Sequence, residues 1–431
     1  MSVTPIKLEI AKDLLIKSIV EKDKKTLIRI YKAEERINFR TIKSKFNLPA
    51  TANSAVDGYG ILHRTFLNNP KTKFEVVGVS RAGHPFNKKI LPHQAIEIYT
   101  GAILPEGVDT IVMHEKCKRF DDNVIVNEKV KQNQNMRPIG ENLRKGEVVV
   151  KRGKLLNSAD IAQLAASGTD EIDVYNKLKV SVISTGDELI LSDEKKSSKG
   201  HVYDSNKPML LSLLSHNFLN LNDLGIVKDN RDELAEKFSN ALSNSDVVIS
   251  SGGASDGIED HTQNAIRDIG AECLVWQLAM KPGKPMAVGR KKNKLIFCLP
   301  GNPVAAFVCS KLLVKPLLIK LAGGLDFEPL VIKIPSGFNF KKRPGRTEYL
   351  RAKIISKNNG TFLTIHGRKG SGVISSLTGA DGIVEIPFNY KNVKVGELLK
   401  FYPFNHRCLW NLYLSYFKFI NYKLSYWTNV I

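Results

Sequence analysis

Three short loops in this chain carry residues suited to gripping a polyanion. The first, Ser251-Gly252-Gly253-Ala254-Ser255-Asp256-Gly257, follows an apolar run ending at Ser250. Glycines there let backbone N–H groups approach a phosphate closely, and the N-terminus of a following helix adds favourable partial charge. A bland glycine-rich turn has the same composition, so this loop alone decides nothing. The second is Lys281-Pro282-Gly283-Lys284-Pro285. Proline and glycine keep it out of a helix, so two ammonium groups can converge as point charges on phosphate or oxyanion oxygens. A solvated basic turn is the alternative reading. The third, Leu299-Pro300-Gly301-Asn302-Pro303, is a rigid loop in which Asn302 is placed to cap the helix that follows.

Carboxylates form the other half of the chemistry. Asp187 and Glu188 lie in Thr185-Gly186-Asp187-Glu188, Asp229 follows Gly225-Ile226-Val227, and Glu259-Asp260 follows the glycine loop. Each comes just after a segment of strand character, which puts them at one sheet edge, where parallel sheets bind ligands. Acids beside a phosphate loop repel the ligand unless a hard divalent cation bridges them, and that is Mg²⁺-type oxygen coordination. Farther upstream lie Ser54-Ala55-Val56-Asp57-Gly58-Tyr59 and Tyr99-Thr100-Gly101-Ala102. On spacing alone the former reads as an Asp-Gly turn. The sequence has no His-Glu-x-x-His, Walker loop, nucleophile elbow or Cys/His catalytic pairing, and His114 and His261 read as single structural residues.

These loops need elements to hold them. Helical spacing of Leu8, Ala11, Leu14, Leu15 and Ile19 opens the chain. From Leu48 to about Glu128, short apolar or alternating runs separated by Gly, Pro and Asn predict a β-rich module. Ser158 to Gly168 predicts a helix with Ser158 as N-cap and Gly168 as its stop. Between Lys177 and Gly324 strand-length apolar runs alternate with helices, which predicts a parallel sheet covered on both faces. The last of those helices is expected from Pro303 to Leu321. Short strands return from Leu330 and predict a small barrel or sandwich.

At 431 residues the chain exceeds what one hydrophobic core supports, roughly 250–300 residues, so several domains are expected. Hydrophobic residues make up 42% and charged residues 25%, a composition that excludes disorder as the default. The net charge of +21 permits nucleic acid, anionic lipid or small polyanions as partners, but the lysines are scattered and form no aromatic-interleaved patch. No nucleic-acid partner is expected. The five cysteines form no Cys-x-x-Cys pair, and those in apolar stretches, Cys298 and Cys309, read as buried inert thiols. The N-terminal residues lack the apolar core of a signal peptide, so a cytoplasmic location is expected.

Taken in order, the motifs resemble the MoeA, or molybdopterin molybdenumtransferase, family, which also includes the E domain of gephyrin. They are Ser54–Gly60, Thr100–Gly107, Ser184–Leu189, Asp204–Asn206, Ser250–Ser255, Lys281–Pro285, Leu299–Pro303, Arg346–Arg351 and Gly370–Gly372. The resemblance spans about residues 5–404. It implies an α/β multidomain fold. A discontinuous helical and mixed domain covers 1–47 and 138–176, with a β-rich insertion at 48–137. A MogA-like three-layer domain with a parallel-type sheet covers 177–325, and a small β-barrel covers 326–404. It further implies a reaction of adenylyl-molybdopterin with molybdate that yields molybdenum cofactor and AMP, with Mg²⁺. The implied site is composite within a homodimer, Asp57 and Thr100 of one subunit facing Glu188, Asp229, Asp260, Lys281 and Lys284 of the other. Asn206, Ser251, Gly252, Gly253, Ser255, Pro300, Gly301, Asn302, Pro303, Arg351 and Ser371 are the expected ligand-binding residues. Glu188 and Asp260 are the expected metal ligands. A molybdopterin adenylyltransferase is a conceivable partner. The same resemblance leaves two rival readings, the adenylyl transfer itself and a non-catalytic gephyrin-like scaffold.

The chain departs from the family pattern in three places. Gly140-Glu141-Asn142 stands where the family has Gly-x-Asp, so either Glu141 substitutes or one carboxylate role is missing. Gln277 stands where a family lysine aligns, which removes a cation. Residues 405–431 continue past the family's usual end with an aromatic tail broken by Lys418 and Lys423. The tail is too short and too interrupted for a membrane span. It is read as the cover of an apolar groove or an unstructured accretion, and membrane contact is not expected.

Overall fold

A computed structural model of the chain describes residues 4–20, 23–195, 199–252, 261–357 and 360–405. The glycine loop beyond Gly252 and the aromatic tail beyond Asn405 therefore lie outside the described residues, and with them the expectations for Gly253, Ser255, Asp260 and the tail.

The central sheet runs in the order Leu219–Val227, Leu178–Thr185, Val247–Ser251, Lys294–Leu299, Ala287–Lys291, Glu272–Trp276. Alternate side chains feed opposite cores, as the period of a strand demands. Val180, Val182, Val247, Ile249 and Phe297 enter one buried cluster with the 303–321 helical segment. Ile183, Val248, Ile296 and Cys298 enter the other with Leu234, Phe238 and Ile266. Both faces of the inner strands are covered, and Val247–Ile249 and Leu295–Leu299 accordingly read as unbroken apolar runs.

The first four strands are parallel, as expected, but the last two pair antiparallel. Lys291 pairs Lys294, so only Lys292 and Asn293 connect Ala287–Lys291 to Lys294–Leu299. A parallel crossover needs a dozen residues or more, whereas a two-residue link makes a hairpin. Lys292 takes the positive φ of 54° that such a turn requires. Two helix details also differ from expectation. Asn157, not Ser158, caps helix Ser158–Ala166, its Oδ1 accepting from the Asp160 N–H while Asp160 reciprocates to Asn157 N–H. The long helix is continuous but bulged, with α-helix Pro303–Cys309, a π-turn at Ser310–Val314 and α-helix Lys315–Leu321.

The helix Leu8–Ser18 docks on this unit through Leu8, Ala11 and Leu15. Residues 25–43 and 143–175 form a separate core, with Lys25–Arg29 antiparallel to Glu171–Tyr175. Between those segments a six-stranded sheet is ordered Thr110–Met113, Gly58–Ile61, Gln94–Ile98, Phe74–Ser80, Asn123–Val126, Cys117–Phe120. At the C-terminal end Thr347–Lys357, Gly382–Ile386, Leu398–Pro403, Ile332–Pro335 and Gly360–Ile365 wrap around Leu350, Ile354, Leu363, Val384 and Phe401. A bridge from Ser336 to Leu363 brings the two ends of that sheet together.

Candidate functional site

The carboxyl ends of the parallel strands converge on one edge, and the loops that leave them differ in charge. Gly252 takes a φ of 103°, and a Cβ there would lie 2.1 Å from the Thr185 carbonyl oxygen. Only glycine lets the loop turn this tightly against its neighbour strand. Asn206, at the start of helix Asn206–Leu213, ties the loops together. Its Nδ2 donates to Ser251 Oγ at 2.8 Å and to the Gly301 carbonyl at 2.7 Å. Asn206 Oδ1, Asp204 Oδ2, Ser184 Oγ, Thr185 Oγ1 and Ser250 Oγ are buried and have no hydrogen-bond partner among the described residues. Buried polar atoms in native proteins are nearly always paired, so such a group at a sheet switch point marks a place where a polar ligand or water docks.

Toward one end of this edge the charge is negative. Asp229, which follows Leu219–Val227, donates its N–H to Asp187 Oδ1 at 3.2 Å. Burial raises the Asp229 pKa, and the negative charges of Glu188 and Asp187 raise it further. This oxygen-only donor set suits a hard divalent cation, whose charge would relieve that repulsion. Among the described residues no three His, Cys, Asp or Glu side chains converge as a complete ligand group, and Asp260, the other expected ligand, lies outside them.

Toward the other end the charge is positive. Lys281, Lys284, Pro300, Asn302, Arg351 and Ser371 line one cavity of about 830 Å³ between the α/β unit and the barrel. Gly283 carries the Lys281–Lys284 turn across the buried Cys309, whose Sγ would lie 2.6 Å from a Cβ at Gly283. Burial pushes the Cys309 thiol up to about 12, so it is packing and not a nucleophile. Arg351 is buried; its Nε donates to Ser376 Oγ at 2.9 Å, and one terminal NH₂ donates to the Arg368 and Gly370 carbonyls at 3.0 and 3.3 Å. It thereby sets the loop that ends in Ser371, and the Ser371 carbonyl accepts from Val304 N–H at 3.0 Å. Asn302 stands at the N-cap of Pro303–Cys309 with Pro303 in the first turn, but its side chain makes no capping bond. Asn302 is among the residues that line the cavity.

Asp57 and Thr100 meet each other but do not line this cavity. The Thr100 N–H and Oγ1 both donate to Asp57 Oδ1 at 2.7 Å. The backbone bond, then the hydroxyl bond, lowers the Asp57 pKa, and the nearby His114 adds to the effect. The pair is an exposed, firmly ionised carboxylate on the β-rich sheet. Glu141 and Asn142 are exposed and absent from the cavity lining, and Gln277 takes a φ of 65° while donating its N–H to the Met286 carbonyl. Sequence reasoning missed Glu348, Lys342, Arg368 and Lys369, all of which line the cavity from the barrel. Glu348 was visible inside the Arg346–Arg351 motif, but nothing in the sequence placed it beside Lys281.

Comparison with known proteins decides the family. The MoeA N-terminal region (domain I and II) matches residues 6–168, a probable molybdopterin binding domain matches 181–320, and the MoeA C-terminal region (domain IV) matches 333–404. The molybdopterin molybdenumtransferase of Haemophilus influenzae is 35% identical over 382 residues, covering 88% of this chain and 94% of that protein. This chain belongs to the MoeA family. The molybdopterin molybdenumtransferase of a Nostoc species is 34% identical over 304 residues, 69% of each protein. The crystal structure of a molybdopterin biosynthesis MoeA protein from Pyrococcus horikoshii OT3 superposes with a TM-score of 0.79 at 27% identity, covering 93% of this chain and all of that one. The MoeA architecture accounts for the basic cavity lying at a seam, since the α/β unit and the barrel match separate family regions. Among the described residues no helix is long and apolar enough to cross a membrane.

Proposed function

We propose that this transferase of molybdenum-cofactor biosynthesis inserts molybdate into adenylyl-molybdopterin and releases AMP. The observation that carries the reading is the convergence of Lys281, Lys284, Asn302, Arg351 and Ser371 on one cavity beside the Asn206–Ser251–Gly301 clamp. The unpartnered polar atoms around Ser184, Thr185 and Ser250 receive the polar part of the pterin nucleotide. Lys281 and Lys284 hold the molybdate oxyanion and offset the charge that develops as an oxygen of molybdate or water attacks phosphorus, the phosphoanhydride P–O bond breaks and AMP leaves. Arg351 keeps Ser371 in place. A magnesium ion, for which Glu188 and Asp260 are the expected ligands, would supply charge neutralisation at the anhydride when bound.

Asp57 is ionised and exposed but lies away from the cavity lining. It completes the site of a second copy of the chain, and a homodimer is therefore part of the reading. Asp57→Asn retains an oxygen that can accept from Thr100, so the loop should survive while the charge is lost. AMP release from adenylyl-molybdopterin with molybdate should fall by roughly 100-fold or more in Lys281→Ala and in Asp57→Asn, with fold and dimer intact. Normal rates in both variants would overturn the assignment.

A further inference from the structure

Among the described residues, every charged side chain lining the cavity is basic except one. Glu348 lies on the strand Thr347–Lys357 and is only 8% exposed. A buried carboxylate in an anion-binding cavity weakens anion capture by repulsion, so its presence needs a reason.

The strand register supplies it. Met280–Lys281 adds in parallel to the edge of the barrel sheet, with Met280 opposite Thr347 and Lys281 opposite Glu348. Thr347 N–H also donates to the Ala279 carbonyl at 2.9 Å. This two-residue ladder places Lys281 Nζ 3.5 Å from Glu348 Oε2, with the lysine side chain 59% exposed. Charge-assisted bonds to carboxylates close to about 2.7–2.9 Å, so this pair is loose and the ammonium is free to turn. Lys342, whose charge also acts on Glu348, is committed elsewhere, its Nζ donating to the Arg346, Pro387 and Phe388 carbonyls at 2.5, 2.9 and 3.2 Å. Lys281 is thus the exchangeable partner.

We infer that Glu348 is a positioning residue that parks the Lys281 ammonium across the seam and competes with the incoming oxyanion for it. A lysine stem has four rotatable bonds, and without a resting partner its head is not placed for the transfer step. With Glu348 present, the ammonium swings from carboxylate to oxyanion on binding and returns when the site empties. The inference rests on the proposed reading of Lys281 as an oxyanion-binding cation.

The test is a double-mutant cycle on the full-length chain with two readouts, calorimetric binding of molybdate alone and turnover measured as AMP release. In Glu348→Gln, molybdate should bind roughly three- to ten-fold tighter while kcat falls roughly ten-fold, a split that simple loosening of the fold does not produce. Glu348→Asp, which keeps the charge, should recover most of the lost turnover. In a Lys281→Ala background, Glu348→Gln should change molybdate affinity by no more than about two-fold. An equal change in both backgrounds would show that Glu348 acts by direct repulsion and would overturn the inference alone. Weaker binding and slower turnover together with a lowered melting temperature in Glu348→Gln would make it a structural residue and also overturn it. If Lys281→Ala by itself bound molybdate and turned over normally, the reading of Lys281 would fail and this inference with it.

Discussion

The acidic corner and the basic cavity lie along one edge of the same sheet, yet they handle charge in opposite ways. At the corner, burial and then the charges of Glu188 and Asp187 raise the pKa of Asp229. In the cavity, excess positive charge is tempered by acceptors built into the fold. Lys342 and Arg351 donate to backbone carbonyls, and Lys281 rests against Glu348. A cluster left in mutual repulsion is poised to take a counter-ion, whereas a cluster supplied with internal acceptors can wait empty and exchange them for a ligand. On the proposed reading the corner is a cation site and the cavity a reversible anion site, and the two can be perturbed separately.

The sharpest way to break the cavity is Arg351→Ala. It removes three donated bonds from a buried guanidinium and frees the Arg368–Ser371 loop. The expected cost is about 2–4 kcal/mol of stability. Turnover should fall on the order of 100-fold as Ser371 loses its place. Thermal melts and AMP release check the two effects. Retention of both would mean that the loop is held by its own backbone and that the guanidinium is idle.

Asn206→Ala acts between the two regions and should cost less. It deletes the bonds to Ser251 Oγ and the Gly301 carbonyl, each within the buried strand-end cluster, for about 1–3 kcal/mol. The melting temperature should drop by several degrees, on the order of 2–4 °C per kcal/mol for a domain of this size. Because Asn206 joins the glycine loop to the Pro300–Asn302 loop, pterin-nucleotide binding should weaken along with stability. A drop in stability with unchanged binding would detach the clamp from the ligand.

What was legible in advance follows the same division between local and long-range causes. The α/β unit could be read because its inner strands carry apolar runs, as at Val247–Ile249 and Leu295–Leu299, and its ligand loops begin where those runs stop. Lys281, Lys284 and the strand-end acids came with that pattern. The antiparallel turn of the last two strands was also written locally, in a link too short for a crossover, but apolar periodicity alone carries no strand direction. Glu348 is a different case. Its neighbour Lys281 is far away in sequence, and their contact exists only because a two-residue segment of one domain extends the sheet of another. The same holds for Leu8–Ser18, whose apolar stripe predicted a helix but not that it docks on the α/β unit through Leu8, Ala11 and Leu15. Helix boundaries shift by a residue, as with Asn157 for Ser158, because neighbouring polar residues are comparable caps.

The smallest effect sharpens the acidic corner. Burial, then Glu188 and Asp187, hold the Asp229 pKa above its ordinary carboxylate value. A carboxyl whose folded-state pKa is raised favours the fold when protonated, so its contribution is fully present below the ordinary carboxylate pKa and is lost as pH rises through the raised value. At neutral pH the ionised Asp229 is then a mild liability to the cation-free chain. Asp229→Asn should raise the melting temperature there by about 1–2 °C, because the group is partly exposed and screened. The gain should vanish on acidification below the ordinary carboxylate range. Added Mg²⁺ should reverse the ranking, stabilising the wild-type chain more than the variant, because the charge that hurts the empty corner is the charge that holds the ion. If Mg²⁺ raised both melting temperatures equally, the corner would not be where the cation binds, and the contrast with the cavity would reduce to a difference in surface charge.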